Sequence, residues 1–151
     1  MAHFKKKTPS APTQPAPPPA VPGQRWLYET DERPKKKHHW SKAYAGFIDL
    51  RDGSRVSKCP KGFPTTVAQR LINDGIEDWT DDPPGAWPHQ IFVVHEGVLY
   101  QAVPTNPGRS YHAYPVNAED LRYVPRDVRK KIDERAQALG CERELRRWIG
   151  R

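Results

Sequence analysis

The chain has 151 residues and a formal net charge of +7, with 17 prolines, five tryptophans and two cysteines. That length allows one domain with a single modest core. No run of 18 apolar residues is present, which excludes a membrane-spanning helix, and two cysteines exclude a disulfide framework.

The charge is unevenly spread. Residues 1–37 hold eight Lys and Arg against three Asp and Glu, residues 38–118 hold seven against eight, and residues 119–151 hold ten against seven. The excess therefore sits at the two ends, and the middle is slightly acidic. A basic tail attracts RNA, DNA or anionic lipid without specificity, so the net charge by itself does not place a nucleic-acid site in the fold. Cys59 and Cys141 stand at no metal or redox spacing. A reducing cytoplasm is the expected compartment, with the pairing of the two thiols left open. No apolar segment follows the basic start, so no signal peptide is expected, although export by a route that needs none would leave no mark.

In chain order, residues 1–24 carry seven of the prolines behind Lys5, Lys6 and Lys7. With almost nothing apolar to offset ordering entropy, this segment reads as a disordered, polyproline-like tail. Residues 25–44 read as a partly ordered basic linker. At its start Gln24 to Tyr28 is an amphipathic patch able to dock on the domain, and the run from Arg33 to His39 is a solvated loop. The globular domain is assigned to residues 45–151. Asp52-Gly53 suits a two-residue type I′ turn, which pairs Asp49 with Val56 and Leu50 with Arg55 in a hairpin at a sheet edge. Thr66 with Gln69 three residues on reads as a capping box, opening a helix through Val67, Ala68, Leu71 and Ile72 that Gly75 stops. Ile76 to Gln90 reads as a long irregular loop whose acids Glu77, Asp78, Asp81 and Asp82 face solvent.

A second hairpin turns at Glu96-Gly97, with His95 opposite Val98, Val93 opposite Tyr100 and Ile91 opposite Ala102. Both of its faces are largely apolar, so it should be central and covered on both sides. Pro104 to Gly108 turns the chain into a third strand, Arg109 to Tyr114, with Ser110, His112 and Tyr114 on one face and Arg109, Tyr111 and Ala113 on the other. Pro125 opens a helix with the stripe Val128, Ile132, Ala136 and Leu139, ended by Gly140. A last short helix carries Leu145, Trp148 and Ile149. The expectation is an α+β fold: a single domain with a mainly antiparallel sheet in the order ββ-α-βββ-α, preceded by the disordered Pro-rich tail. The order from Thr65 to Leu139 is also that of a double-stranded-RNA-binding domain, in order only and without its loop residues.

The densest cluster of reactive groups is His95, Arg109, Ser110, Tyr111, His112 and Tyr114. Metal-free cleavage of RNA needs a base for the 2′-hydroxyl, an acid for the leaving oxygen and a cation for charge on phosphorus. His95 and His112 supply the first two and Arg109 the third, with Ser110 and Tyr111 beside them. Tyr114, Trp79 and Trp87 offer faces for bases, and Arg126, Arg129 and Lys130 offer contacts to phosphates. The function expected is a small metal-independent RNA-cleaving enzyme of the kind delivered as a toxin, with RNA as partner, no cofactor and no metal site. Two alternatives stand beside it. One is a non-catalytic nucleic-acid-binding module. The other is a protein-interaction domain whose Pro-rich arm is the ligand. His38-His39 beside Trp40 reads as a polar loop, since adjacent histidines rarely point at one ion.

Overall fold

Two nearly continuous apolar runs joined by Glu96-Gly97 set the centre of the fold. The computed structural model describes residues 25–29, 38, 40–80 and 85–150. The tail over residues 1–24, the basic run over 33–37, His39 and the acidic-loop residues 81–84 lie outside the described residues. In chain order the elements are β1 (Leu27–Tyr28), β2 (Gly46–Asp49), β3 (Arg55–Lys58), α1 (Thr65–Asn73), β4 (Ile76–Asp78), β5 (Gln90–His95), β6 (Val98–Asn106), β7 (Ser110–Pro115), a 3-10 helix (Asp120–Tyr123), α2 (Arg126–Leu139) and α3 (Glu142–Ile149). The fold is α+β, as expected.

Five strands form one sheet in the order β1-β7-β6-β5-β4, antiparallel except for the β1–β7 edge pair. The central hairpin has the predicted register: His95 faces Val98, Val93 faces Tyr100 and Ile91 faces Ala102. Its turn has φ of 50° at Glu96 and 75° at Gly97, the doubly left-handed pair a type I′ turn requires. Gly97 is needed for a second reason, because a Cβ there would overlap the Cβ of Glu144 on α3.

Alternation along β5 and β6 sends side chains to two separate cores. Phe92, Val94 and Leu99 pack with Val128, Ile132 and Ala136 of α2 and Leu145 and Trp148 of α3. Ile91, Ala102 and Tyr111 pack with Ile72 of α1, Trp26 and Trp87. One helix thus covers one face and two helices the other. The order expected between Thr65 and Leu139 gains a strand, because β4 lies between α1 and β5, so the chain differs from a double-stranded-RNA-binding domain even in element order.

Local chemistry explains where the elements depart from expectation. The first ribbon pairs Asp49 with Arg55 and Ile48 with Val56, one residue away from the two-residue-loop register. Its loop has three residues: Gly53 N donates to Leu50 O and Gly53 adopts φ 85°, a type I turn followed by a left-handed glycine. The shift brings Arg55 Nε within 2.8 Å of Asp49 Oδ1. This ribbon is a separate two-stranded sheet rather than an edge of the main one.

Helix α1 begins at Thr65 after Pro64, with no side-chain cap, so Thr66 and Gln69 do not form a capping box. Gln69 instead accepts from Tyr28 N and donates to Trp26 O. The supposed loop after Gly75 opens with a strand: Ile76, Glu77 and Asp78 pair with Phe92, Ile91 and Gln90. Strand β6 runs through Pro104 to Asn106, with a bulge between them, and the turn follows it. Along α2, Val128, Ile132 and Ala136 are buried but Leu139 is 56% exposed. The helix ends at that residue in a Schellman motif, with Cys141 N donating to Ala136 O and Gly140 at φ 70°.

The segment Arg25–Glu29 is held by two amides of α1. Asn73 Oδ1 accepts from Trp26 N at 2.7 Å and its Nδ2 donates to Trp26 O at 2.7 Å, beside the Gln69 bonds. Asn73→Ala removes the partner of Trp26 N and leaves Trp26 O with Gln69 alone, which costs about 1–3 kcal/mol. The expected result is raised amide exchange confined to residues 25–29, Trp26 and the β1 edge, with the β5–β6 hairpin unchanged.

Candidate functional site

The main sheet has one face that the helices cover only in part. Register places Phe92, Gln101 and Tyr114 in one row across β5, β6 and β7. The next row on the same face holds Asp78, Gln90, Val103 and His112, and Ser110 and Thr105 follow. At the hairpin end this face is the apolar floor under α2 and α3. Toward the other end it becomes a polar floor, and the residues with useful chemistry gather there.

Asp78 is fully buried. Its carboxylate accepts from Gln90 Nε2 at 2.6 Å, from Thr80 Oγ1 at 2.6 Å and from Thr80 N at 3.1 Å. The expectation that Asp78 faces solvent therefore fails, because β4 turns its side chain onto the sheet face. Since a carboxylate only accepts here, the Gln90 amide group points to it and the Gln90 carbonyl accepts from Gln101 Nε2. Two amides are thus oriented in series, and Gln101 Oε1 ends the chain in the row of Tyr114.

His112 sits at the centre of β7. Thr105 Oγ1 donates its single proton to Glu29 O at 2.8 Å, and it lies 2.8 Å from His112 Nδ1. The Nδ1 atom must then be the donor, so the neutral ring carries its lone pair on Nε2. His38 is set the same way, with Nδ1 2.8 Å from the carbonyl Ser57 O. The Tyr114 ring is in contact with both. His38 stacks on that ring at a centroid separation of 4.7 Å and 13°, and the His112 ring stands 6.4 Å from it, tilted by 37°. The two imidazoles are at most about 11 Å apart, the sum of those separations. The Tyr114 phenol is raised above its ordinary pKa by burial and then by the charge of Asp120, so it remains a hydroxyl donor at neutral pH.

The residues singled out from sequence are distributed as follows. His112 and Tyr114 join this cluster. Ser110 is buried beside it, donating to Glu29 Oε2 at 2.7 Å. Tyr111 points to the other face, is buried, and donates its hydroxyl to Pro88 O at 2.6 Å. Arg109 is exposed in the turn before β7, about 10 Å along the strand from His112. His95 is not with His112. It lies on the opposite face, two strands away, and its register partner is five residues along β6 from that of His112, about 17 Å. His95 contacts Phe63 edge-on at 5.5 Å and lines a separate cavity of about 400 Å³ with Tyr44, Arg147 and Trp148. Trp87 is a core residue and Trp79 is 36% exposed, next to Arg25. Arg126, Arg129 and Lys130 lie on the exposed side of α2. No group of three His, Cys, Asp or Glu residues that could hold a metal is found among the described residues.

Sequence reasoning missed His38, Gln90, Gln101, Thr105 and the inward turn of Asp78. Only the amides carried a signal: Gln90 and Gln101 are polar interruptions in otherwise apolar runs.

On the other face Cys59 borders a small apolar cavity of about 50 Å³ with Tyr28, Phe63 and Tyr100. Burial pushes its thiol up to about 12. Cys59 and Cys141 are both free. Because the thiolate is the nucleophile, native Cys59 is expected to resist iodoacetamide at pH 8 and to react once the chain is unfolded, as read by peptide mass spectrometry. The folded state holds that proton to higher pH than the unfolded chain does, so this contribution to stability is complete below about pH 9 and lost toward pH 12.

Comparison of the chain with family models, with curated proteins and with solved structures returns no match. No helix of the described residues is long and apolar enough to cross a membrane.

Proposed function

We propose that the protein is a metal-independent RNA-cleaving enzyme whose acid and base are His112 and His38, the two histidines gathered at Tyr114. The observation that carries this reading is the pair of imidazoles that meet the same tyrosine ring, each with Nδ1 engaged so that the neutral ring has its lone pair on Nε2. His38 takes the place that sequence reasoning gave to His95.

The step proposed is an in-line displacement. One imidazole takes the proton of the ribose 2′-hydroxyl as the O2′–P bond forms. The other, protonated, gives its proton to O5′ as the P–O5′ bond breaks. The products are a 2′,3′-cyclic phosphate and a 5′-hydroxyl, so atoms and charge balance without a co-reactant. Tyr114 donates to a non-bridging oxygen, and Arg109, farther along the strand, steadies a neighbouring phosphate.

The test is cleavage of labelled RNA by the full chain in the presence of EDTA, comparing wild type with His112→Ala, His38→Ala and His95→Ala. Cleavage that persists in His95→Ala and disappears in the other two is the expected result. Cleavage that none of the three changes, or none at all by wild type, overturns the proposal.

A further inference from the structure

The surface that continues from the site begins with the acids Glu119 and Asp120 and then carries an aromatic ring in water and a run of exposed Arg and Lys, with Asp127 among them. The 3-10 helix follows β7 closely, and the charge of Asp120 acts on Tyr114, so its first residue lies within electrostatic reach of the cluster. Leu121 and Val124 anchor this helix in the core, and Val128 and Ile132 continue the anchor into α2. The intervening residues are thereby turned outward. Arg122 is exposed and Tyr123 is 87% exposed, the most exposed large hydrophobic side chain among the described residues. One turn on, Arg126, Arg129 and Lys130 stand at i, i+3 and i+4 on one flank of α2, all exposed. Among the described residues Arg126 and Arg129 make no ion pair, and Lys130 reaches Glu134 only at 4.0 Å. Three like charges at that spacing repel one another. A polyanion would offset that repulsion, and a nearly fully exposed ring beside arginines is what a nucleobase stacks on.

We propose that this strip is the binding track for a single-stranded RNA: Tyr123 stacks an unpaired base next to the cleavage site, and Arg122, Arg126, Arg129 and Lys130 contact the phosphates beyond it. The catalytic meaning of the track rests on the RNA-cleaving reading, but its binding is measured separately. Exposed Arg on a helix suits bidentate phosphate contacts, and stacking requires bases that are not paired, which sets single strands apart from duplexes.

The experiment is fluorescence anisotropy of the full chain with a labelled 2′-O-methyl RNA of about 12 nucleotides, which lacks the 2′-hydroxyl and is not cut. Tyr123→Ala is expected to raise Kd roughly tenfold. The pair Arg126→Gln and Arg129→Gln should lower the slope of log affinity against log salt by about 1.4, from about 0.7 for each phosphate contact. Arg143→Gln on α3 serves as control and should change neither. All of these side chains are exposed, and circular dichroism confirms that the variants fold. Affinity and slope that are the same in all variants overturn the proposal. So does a duplex bound as tightly as the single strand with Tyr123 silent, or a polyglutamate that displaces the probe equally from wild type and Tyr123→Ala. If binding falls as expected while wild type leaves RNA intact, the track stands and the enzyme reading fails.

Discussion

Alanine at position 112 is expected to reduce turnover of an RNA substrate by about 10²- to 10⁴-fold, the contribution of a positioned general acid or base. The protein should remain folded, because His112 is only partly buried and its ring bonds at the edge of the polar floor rather than in either core. Stability by urea titration should therefore change little while the rate collapses. The rate of wild type should show a bell-shaped pH dependence, since one imidazole must be neutral and the other protonated in the same molecule. Each single variant should lose one limb of that bell along with most of the rate. Thr105→Val is a finer probe: it removes the oxygen that holds Nδ1 and should lower turnover with little change in substrate affinity. A His112→Ala protein that keeps the wild-type rate and a bell of two limbs would remove His112 from the chemistry.

Trp148→Ala is expected to cost about 3–5 kcal/mol of folding stability, the range for deleting a buried tryptophan. The side chain is 4% exposed in the core between α2, α3 and the sheet. Its indole Nε1 donates to Val116 O at 2.9 Å, and the ring stacks on Phe47 at 4.8 Å and 28°. The first contact ties the C-terminal helix to the end of β7, and the second ties the β2–β3 ribbon to the domain. Because total stability of a small domain is about 5–15 kcal/mol, the loss is a large fraction of it. It should also reach the site. His38 is fixed through Ser57 of that ribbon, so undocking the ribbon removes one imidazole from Tyr114. Trp148→Phe keeps the stacking but loses the hydrogen bond, and should cost less than half as much. Thermal and urea denaturation give the energies, and amide exchange of residues 46–58 reports the ribbon. Full stability in Trp148→Ala would show that neither contact matters.

These expectations depend on different kinds of information. The central hairpin was legible because two local rules agree: Glu96-Gly97 supplies the turn and apolar residues on both faces demand a buried pair of strands. The face carrying Ser110, His112 and Tyr114 followed from period-2 alternation, which holds wherever a strand does. Helices α1 and α2 were legible from 3.6-residue spacing, with Gly75 and Gly140 as their stops.

What local rules could not reach are the interactions that join distant parts of the chain. Thr66 and Gln69 match a capping box, but Gln69 bonds to the backbone of Trp26 and Tyr28 across 40 residues and more. Asp78 belongs to a run of acids that reads as solvated, yet pairing of β4 with β5 buries it against Gln90. His38 sits in a basic run with no strand pattern, and only the docking of the ribbon by Phe47 and Trp148 brings it to Tyr114. His95 and His112 are close in sequence and share a reactive look, but the sheet sends them to opposite faces and to positions five residues apart along β6. The residues themselves determined the sheet centre, the helix stripes and the reactive strand, because period and turn chemistry act over a few residues. Tertiary structure alone decided which second histidine joins that strand, because the choice depends on packing between segments that share no local signal.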